Sequence, residues 1–572
     1  MPKYPKKKLA QLLLQACVGH GIEQVVISPG SRNAPLTLGF VNHPAVETFS
    51  IVDERCAAFL ALGMAQQSRR PVALLCTSGS ALLNYYPAIA EAYYSKIPLV
   101  VISADRPSHL IDIGDGQTIR QAGAFANHII FETNLKSEDG CTDEDQVVHI
   151  LSNNDKEIVK ALEATTEKMG PVHINIPFDE PLYETVEHLY DFGSINVRKE
   201  SIPATSLLNE IPIPLAELEK FASVWNRSAK KMVLIGSNFP DELLQTQMEH
   251  LAKDPSVIIL TETTSNVTNK NFIHKIDQLI FPFEGEDFEK LKPEILLSFG
   301  GMIVSKKIKQ FLRKFQPTEH WHADAFTAMD TYLSLTHHFE ISAQLFFSQF
   351  FFLTKHVKSK YQNQWLLLKE LRNQKHEEFL SNVVYSDLKV FDLLLRSIPL
   401  HSNLQLANSS IIRYAQLFDV DPSIKVFCNR GASGIDGSTS TALGAALIQK
   451  EQTVLVTGDI SFLYDSNALW NNYIPADFRI IVVNNSGGGI FRFIPGPKAS
   501  DALDFFETPH NLDASALCSM YGFDYHIAKN DEELEHELDR FYAQSGKPAL
   551  LEIFTPRESN DMILASYFKG LK

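Results

Sequence analysis

Short apolar strands alternate with helical stretches and glycine-containing turns along most of this chain. In the first third, apolar runs at residues 23–28, 72–77 and 99–104 are separated by turns and helices, and residues 172–176 predict a further strand. Parallel strands need a long crossover connection, which is usually a helix, whereas a short hairpin joins antiparallel strands. Strands joined through a helix are therefore expected to run parallel. Parallel sheets need helices on both faces. We therefore predict an α/β protein.

The same alternation recurs twice, which predicts three doubly wound parallel-sheet domains. The second set of strands is expected at residues 231–236, 257–261 and 294–300, with a helix over 241–252. The third is expected at 453–457, 479–484 and 550–554, with part of a helix over 465–470. One core rarely serves more than ~250–300 residues, and the chain has 572. We predict domains at 1–190, 191–355 and 356–572, a polar linker within 191–211, and a helical region at 355–378 before the third core.

Composition narrows the class of protein. The formal net charge of −16 argues against nonspecific nucleic-acid binding, and no apolar run reaches the ~20 residues that span a bilayer. The basic and then apolar start is interrupted by Gln11 and Gln15, so we expect a first helix instead of a signal peptide. The six cysteines lack C-x-x-C spacing, which predicts reduced thiols and a cytoplasmic enzyme.

Polar side chains follow two predicted strands of the third segment. Gly458-Asp459 follows the first of these strands, and Asn484-Asn485 follows the next. Ligands of open α/β sheets bind at the carboxyl ends of strands. Asp459, Asn485 and a backbone carbonyl near Gly487 offer the hard oxygen ligands that Mg²⁺ takes together with phosphate oxygens. The competing interpretation is structural, since such an Asp often caps a helix and Asn-Asn before glycines often forms a turn.

A second carboxylate lies about four hundred residues earlier, where a strand end passes into a helix. Glu54 occupies this position within Val52-Asp53-Glu54-Arg55-Cys56. G-D followed after about thirty residues by N-N resembles the thiamin-diphosphate motif, with Ile460 in place of the usual small third residue. The resemblance implies that Glu54 contacts N1′ of the cofactor's aminopyrimidine and assists proton transfer there. The alternative is an exposed acid that stabilises a helix start.

Longer motifs narrow the family. They are S-P-G-S-R at 28–32, A-D-R-P at 104–107, G-D-G-Q-T-I-R-Q at 114–121, A-N-S-S-I-I-R at 407–413 and N-R-G-A-S-G-I-D-G at 429–437. In this order they resemble the 2-succinyl-5-enolpyruvyl-6-hydroxy-3-cyclohexene-1-carboxylate synthases of menaquinone biosynthesis. The resemblance implies a transferase that decarboxylates 2-oxoglutarate and adds the succinyl carbanion equivalent to isochorismate. It also implies thiamin diphosphate, Mg²⁺ or Mn²⁺, and a homodimer or dimer of dimers.

The resemblance also assigns roles to individual residues. The isochorismate contacts would be Ser31, Arg32, Arg106, Gln117, Lys306 and Lys307. The carboxylate of 2-oxoglutarate would meet Ser409, Arg413 and Arg430, and the apolar wall beside the acceptor would be Ile490, Phe491 and Ile494. The cofactor would contact Glu54, Ser409, Arg430, Ile435, Gly458, Asp459, Ile460, Ser461, Asn485 and Gly487. Ile435 would wedge the cofactor into its bent shape.

These assignments have structural alternatives. Arg106 would be an exposed loop residue, Arg413 a partner in a surface ion pair, Lys306 and Lys307 solvated charges, and Phe491 and Ile494 ordinary core. Gly116 and Gly489 depart from the family pattern, which has Asn and Gln there. Both positions therefore lack a side chain near the implied substrate site.

Three other functions compete with this prediction. An acetohydroxyacid-synthase-like enzyme would share Glu54, Asp459 and Asn485 without needing the arginines. A noncatalytic thiamin-fold subunit would not need an intact Glu54. A nucleotide-dependent oxidoreductase would use the middle domain, but Gly236-Ser237-Asn238 has too few glycines for a dinucleotide fingerprint. We expect no bound flavin.

Overall fold

The structure is a computed structural model that describes residues 3–193 and 210–572. Most of the predicted linker, residues 194–209, lies outside the described residues. The chain forms two compact units. The first comprises Met1–Asn209, Gly431–Lys450 and Ser461–Phe478, and the second comprises Glu210–Arg430, Glu451–Ile460 and Arg479–Lys572.

The first unit contains a six-stranded parallel sheet in the order β3-β2-β4-β5-β7-β6 and a short antiparallel pair, β1 with β8. These strands are β1 (Tyr4–Pro5), β2 (Gln24–Ile27), β3 (Glu47–Ser50), β4 (Val72–Cys76), β5 (Leu99–Asp105), β6 (Phe131–Asn134), β7 (Val172–Pro177) and β8 (Thr185–Val186). The α-helices of residues 3–193 are α1 (Lys8–Gly19), α2 (Ala34–Asn42), α3 (Glu54–Ser68), α4 (Ser80–Asn84), α5 (Tyr86–Ser95) and α6 (Glu144–Glu167).

The segment between β4 and β5 contains two helices. These are α4 and α5, which meet at Tyr85. Pro87 lies in the first turn of α5. Proline lacks an amide N–H and its ring clashes with the carbonyl four residues earlier, so the helix starts anew there.

The second unit contains two parallel sheets. The sheet nearer the amino terminus has the order β10-β9-β11-β12-β13. Its strands are β9 (Lys231–Ile235), β10 (Val257–Thr261), β11 (Ile295–Phe299), β12 (Glu319–Ala323) and β13 (His337–Phe339). The helices of this segment are α7 (Leu215–Trp225), α8 (Glu242–Leu251), α9 (Ile276–Ile280), α10 (Gly285–Leu291), α11 (Lys306–Lys314) and α12 (Ala343–Phe350). Strands β9, β10 and β11 are fully buried, as their continuous apolar runs predict.

The other sheet of this unit has six parallel strands in the order β15-β14-β16-β17-β19-β18. They are β14 (Asn403–Leu406), β15 (Lys425–Phe427), β16 (Thr453–Gly458), β17 (Arg479–Asn484), β18 (Asp524–Ala528) and β19 (Ala549–Phe554). The helices of residues 356–572 are α13 (Tyr361–Leu380), α14 (Asp387–Ser397), α15 (Ser410–Ala415), α16 (Ser438–Ile448), α17 (Asp459–Tyr464), α18 (Ile490–Phe493), α19 (Pro495–Lys498), α20 (Leu503–Glu507), α21 (Ser515–Tyr521), α22 (Asp531–Phe541) and α23 (Asn560–Gly570).

The prediction of helix at residues 465–470 was wrong in position. The α-helix begins at Asp459, directly after β16, and residues Ser466–Leu469 form only a 3₁₀ turn. Asp465 lies between them with its carboxylate buried, and it accepts hydrogen bonds from the amide and hydroxyl of Ser440, at 2.7 and 2.8 Å. Asp side chains that hydrogen-bond backbone amides are favoured at helix ends and turns and disfavoured inside helices. Asp465 therefore lies where the α-helix ends.

Helices α3 and α16 pack closely within the first unit because glycines face the opposite backbone. A Cβ atom on Gly63 would lie 2.0 Å from the carbonyl oxygen of Thr441, and one on Gly444 would lie 1.9 Å from that of Leu60. Real Cβ atoms do not approach oxygen so closely, so any larger residue would push the two helices apart. This packing fixes the direction of α3, whose first residue is Glu54.

We expect Gly444→Ala to lower the melting temperature by several degrees, because overpacking at a buried site costs about 1–3 kcal/mol. Differential scanning calorimetry would measure the shift. Gly546→Ala is the matched control, since a Cβ at Gly546 meets no atom within 4 Å. Equal melting temperatures for both variants would contradict the proposed packing constraint.

Along the described ranges, none of the helices is both long and apolar enough to span a membrane. All six cysteines are free thiols, and five of them are buried.

Candidate functional site

Three predicted site residues lie at the carboxyl ends of neighbouring strands in the sheet that contains β16. Ser409 follows β14, Asp459 follows β16 and Asn485 follows β17, and these three strands are adjacent. Ser409 has a φ of 70°, a left-handed conformation that costs energy for a residue with a side chain. Such strain is common where a turn must aim a polar group into a site. The sheet therefore gathers these residues at one edge.

Asp459 is the first residue of α17 and is buried. One carboxylate oxygen accepts from the amide of Ile460 at 2.7 Å, and the other accepts from the amide of Gly487 at 2.8 Å. The imidazole Nε2 of His510 lies 3.2 Å from this second oxygen, and the hydrogen bond to Asp459 raises the pKa of His510. Asp459 therefore joins the end of β16 to the glycine-rich turn after β17.

Asn485 is oriented by one strong partner. Its amide Nδ2 donates to the carboxylate of Asp387 at 3.1 Å, while its Oδ1 is buried without a hydrogen-bond partner in the parts of the chain that the structure describes. A buried amide oxygen left without a donor is costly, and a hard cation would satisfy it. The oxygens of Asp459 and Asn485 therefore suit Mg²⁺ chemically.

Gly487 completes this turn. Its φ is +148°, and a Cβ there would lie 2.8 Å from the carbonyl oxygen of Glu507. Only glycine fits that close approach. The turn thus brings backbone atoms next to Asp459, as the cluster Ser486–Gly489 predicts.

The predicted apolar wall lies directly after this turn in the sequence. Ile490, Phe491 and Ile494 are half-buried, and the ring of Phe491 packs against Phe506 with centroids 5.5 Å apart. Two of the three wall residues lie in α18. Half-burial leaves part of each apolar side chain accessible, so these are not fully enclosed core residues.

Glu507 was missed by sequence reasoning and holds the wall segment in place. Its buried carboxylate pairs with Arg492 and, at 2.7 Å, with Arg557. Its carbonyl oxygen accepts from the amide of Gly488 at 2.6 Å. No local motif marks Glu507, because its partners, Gly488 and Arg492 in one segment and Arg557 in another, are distant from it in the sequence.

Two predicted arginines lie close together in the second unit. Arg430 donates to the side-chain oxygen of Asn408 at 2.7 Å. Burial and the neighbouring charge of Arg430 lower the pKa of Arg413, while Asp277 and Glu262 act in the opposite direction. Two guanidinium groups near one another favour an anion between them. The predicted surface-ion-pair alternative for Arg413 does not describe this half-buried environment.

The two predicted lysines differ in their surroundings. Lys306 is exposed at the start of α11, and the ammonium of Lys307 lies 4.3 Å from the centre of the Phe281 ring. Lys309 was not predicted, yet burial lowers its pKa, and the charges of Arg430 and Arg413 act in the same direction. Its spacing of three residues from Lys306 on one helix was the available signal.

Glu54 begins α3 and is half-buried in the first unit. Its Oε2 accepts from the side-chain amide of Asn84 at 3.3 Å, and Asp53 caps the helix by accepting from the amide of Cys56 at 3.2 Å. Because Asp53 performs the capping, the carboxylate of Glu54 is left for another partner. The helix-start position matches the prediction.

Ile435 and Ser461, both predicted to contact the cofactor, are connected. The hydroxyl of Ser461 donates to the carbonyl oxygen of Ile435 at 2.9 Å. The preceding turn is held by Glu91, whose buried carboxylate accepts from the amides of Gly431 at 2.6 Å and Ala432 at 2.7 Å. Glu91 lies on α5 and was not predicted, since its spacing to residue 431 carries no local signal.

Arg32 and Arg106 form a second arginine pair, in the first unit. Arg32 is buried and donates to the carbonyl oxygen of Phe178 at 2.9 Å, and burial and Arg106 lower its pKa. Arg106 is half-buried and donates to the carbonyl oxygen of Gly116 at 3.1 Å. Gly116 therefore contributes through its backbone although it lacks the family's side chain.

Ser31 and Gln117 flank this pair on exposed turns. Gln117 has a φ of 54°. Ser31 and Arg32 thus lie after β2, and Arg106 and Gln117 lie after β5.

A buried hydrogen-bond network contacts the backbone amide of Arg106 through Asp105. Asn175 donates to Asp105 at 2.8 Å and accepts from Ser103 and Gln121, each at 2.8 Å. Asp105 in turn accepts from the amide of Arg106 at 2.8 Å. All four supporting side chains are buried, so each needs its partners.

Three family models match successive parts of the chain. The N-terminal TPP binding domain of thiamine pyrophosphate enzymes matches residues 7–127, the thiamine pyrophosphate middle domain matches 216–405, and the C-terminal TPP binding domain matches 409–553.

Relatives match over nearly the full length. A 2-succinyl-5-enolpyruvyl-6-hydroxy-3-cyclohexene-1-carboxylate synthase of Flavobacterium psychrophilum is 51% identical over 569 residues, which cover 99% of this chain and 100% of the relative. The chain belongs to this synthase family. A synthase of the same name from Flavobacterium johnsoniae is 50% identical over 99% of this chain and 100% of the relative, and one from Porphyromonas gingivalis is 39% identical over 99% and 97%.

Membership in the synthase family confirms the resemblance that the motifs predicted. The fold class is confirmed too, since all three matching domains are of the thiamine pyrophosphate type and the structure has three parallel sheets flanked by helices. The chain is a thiamin-diphosphate-dependent enzyme. The roles of individual residues stay predictions.

We expect Asn175→Ala to lower the melting temperature of this synthase-family protein by several degrees. The variant leaves Asp105, Ser103 and Gln121 short of partners, and each unpaired buried group costs about 1–3 kcal/mol. Asn153→Ala is the control, because the side chain of Asn153 is exposed and, within the described part of the chain, hydrogen-bonds His149 alone. A variant at Asn175 that melts like the control would show that the network contributes little.

Proposed function

We propose that this chain decarboxylates 2-oxoglutarate and adds the succinyl carbanion equivalent to isochorismate, giving 2-succinyl-5-enolpyruvyl-6-hydroxy-3-cyclohexene-1-carboxylate and CO₂. The full-length similarity to synthases of that name supports the reaction. The observation that carries the substrate assignment is the presence of two arginine pairs, Arg32 with Arg106 and Arg413 with Arg430. Both substrates are dicarboxylates, and arginine binds carboxylates bidentately while remaining charged.

Thiamin diphosphate, when bound, supplies the centre that stabilises the carbanion. Glu54 would hold a proton against N1′ of the aminopyrimidine and exchange it during the reaction. The cap made by Asp53 and the hydrogen bond from Asn84 leave the Glu54 carboxylate at a helix start, half-buried, where it can meet a ligand.

Asp459, Asn485 and the carbonyl of Gly487 would hold Mg²⁺, or Mn²⁺ in its place. The support is the unpaired Oδ1 of Asn485 and the buried carboxylate of Asp459. The remaining cofactor contacts would come from Ser409, Arg430, Ile435, Gly458, Ile460 and Ser461.

The two substrates would be bound by separate groups of residues. Arg413, Arg430 and Ser409 would hold the carboxylate of 2-oxoglutarate. Isochorismate would contact Ser31, Arg32, Arg106, Gln117, Lys306 and Lys307. Ile490, Phe491 and Ile494 would exclude water from the carbanion. Lys306 has the weakest support, because it is exposed at the start of its helix.

We also propose domain boundaries at 1–190, 191–355 and 356–572, a homodimer or dimer of dimers, and a cytoplasmic location. The matched segments 7–127, 216–405 and 409–553 support three domains. The six free cysteines are compatible with a reducing compartment.

Mixing the purified protein with thiamin diphosphate, Mg²⁺, 2-oxoglutarate and isochorismate tests the reaction. We expect isochorismate absorbance to fall only when all four are present, and CO₂ to be released from 2-oxoglutarate in preference to pyruvate. A preference for pyruvate would favour an acetohydroxyacid-synthase-like activity and overturn the substrate assignment.

Glu54→Gln should lower turnover by at least about 100-fold, because general acid–base catalysis is typically worth 10²–10⁴-fold. Cofactor binding, followed by calorimetry, should persist. Glu47→Gln is the matched control, since Glu47 is exposed on β3. Turnover by Glu54→Gln at the control's rate, with cofactor bound, would overturn the assigned proton transfer.

A further inference from the structure

Asp387 is a fully buried carboxylate beside the candidate metal site. It is the first residue of α14 and is 2% exposed. Ser386 already caps this helix by accepting from the amide of Lys389. The carboxylate of Asp387 is therefore not needed as the helix cap, and burying it in the core requires another explanation.

Hydrogen bonds from separate parts of the chain fix this carboxylate. One oxygen accepts from the hydroxyl of Thr555 at 2.6 Å, and the other accepts from Asn485 at 3.1 Å. The amide of Asp387 donates to the side-chain oxygen of Asn560 at 2.9 Å. Residues that follow β19 thus hold Asp387, and the carboxylate oxygen that Thr555 does not contact faces Asn485.

The bond to Asn485 decides which end of that amide faces the candidate metal. Nδ2 of Asn485 donates to a carboxylate oxygen of Asp387 at 3.1 Å, so the NH₂ group of this amide faces Asp387. Its oxygen then points the other way, where it is buried and has no hydrogen-bond partner among residues 3–193 and 210–572. A metal needs the oxygen, because an amide NH₂ group cannot coordinate it.

We propose that Asp387 is a positioning residue that fixes Asn485 with its oxygen toward the divalent cation. The inference rests on the metal site of the proposed function. Replacing the carboxylate by an amide would allow Asn485 to flip, since an asparagine at 387 can offer either an oxygen or an NH₂ group. Groups of this kind behind a metal ligand typically change metal affinity by 10–100-fold.

Binding of Mn²⁺ to the full chain with thiamin diphosphate present, followed by the electron paramagnetic resonance signal of free Mn²⁺, tests the proposal. We expect Asp387→Asn to raise the Kd for Mn²⁺ by roughly 10–100-fold. Asp392→Asn is the control, because Asp392 is buried on the same helix and pairs with Arg396 at 2.6 Å. Its Kd should stay within about twofold of the wild type, since it does not act through Asn485.

A second variant covers the case in which Asp387→Asn fails to fold. Thr555→Val keeps the carboxylate but removes the hydroxyl that fixes it, so it should weaken Mn²⁺ binding by a smaller factor. Melting curves separate a positioning role from a structural one. If the carboxylate of Asp387 were purely structural, its loss would lower the melting temperature without changing the Kd of the folded protein for Mn²⁺.

The outcomes distinguish the inference from the function on which it rests. Folded Asp387→Asn or Thr555→Val with wild-type affinity for Mn²⁺ would overturn the positioning role while leaving the metal site in place. If Asn485→Leu also left Mn²⁺ binding unchanged, the metal site of the proposed function would be wrong, and the inference with it.

Discussion

The parallel pairing of β14, β16 and β17 is the constraint on which the proposed metal and diphosphate site depends. Parallel strands end on the same side of a sheet, so residues far apart in sequence, such as Ser409 and Asn485, are delivered to one edge. Every residue of β14 and β17 is buried, and apolar side chains such as Leu404, Leu406 and those of residues 480–483 make up most of that packing. Hydrophobic burial thus fixes the backbone, and the turns after the strands are left to carry polar groups.

Small residues determine how closely helices and turns within each unit approach one another. Gly63 and Gly444 allow two helices to meet at backbone distance, and Gly487 allows a turn to pass over the carbonyl of Glu507. The two helix glycines, Gly63 and Gly444, have no chemistry of their own. They matter because a polar group is useful only when its backbone is held within a few tenths of an ångström, and steric contact is the stiffest means of holding it.

The sequence predicted the strands that contain an apolar run between turn residues, namely β2, β4, β5, β7, β9, β10, β11, β16, β17 and β19. It missed β12 and β14, which lie inside their sheets, because polar residues interrupt their sequences E-H-W-H-A and N-L-Q-L. It did not predict β3 or β6, whose sequences E-T-F-S and F-E-T-N are short and polar, as edge strands can be. Among site residues, local motifs indicated those on turns after strands. Glu91, Lys309, Asp387 and Glu507 were not indicated, because their partners are distant in the chain and only the folded structure brings them together.

The turn held by Glu91 has a further consequence. Successive backbone amides that point into one concavity make a natural receptor for phosphate or carboxylate anions. Here Glu91 occupies that receptor itself, accepting from Gly431, Ala432 and Ser433. The chain supplies its own carboxyl group at this place, so the turn is shaped before any ligand arrives. Soluble anions would have to compete with a tethered carboxylate, and these amides are therefore closed to them.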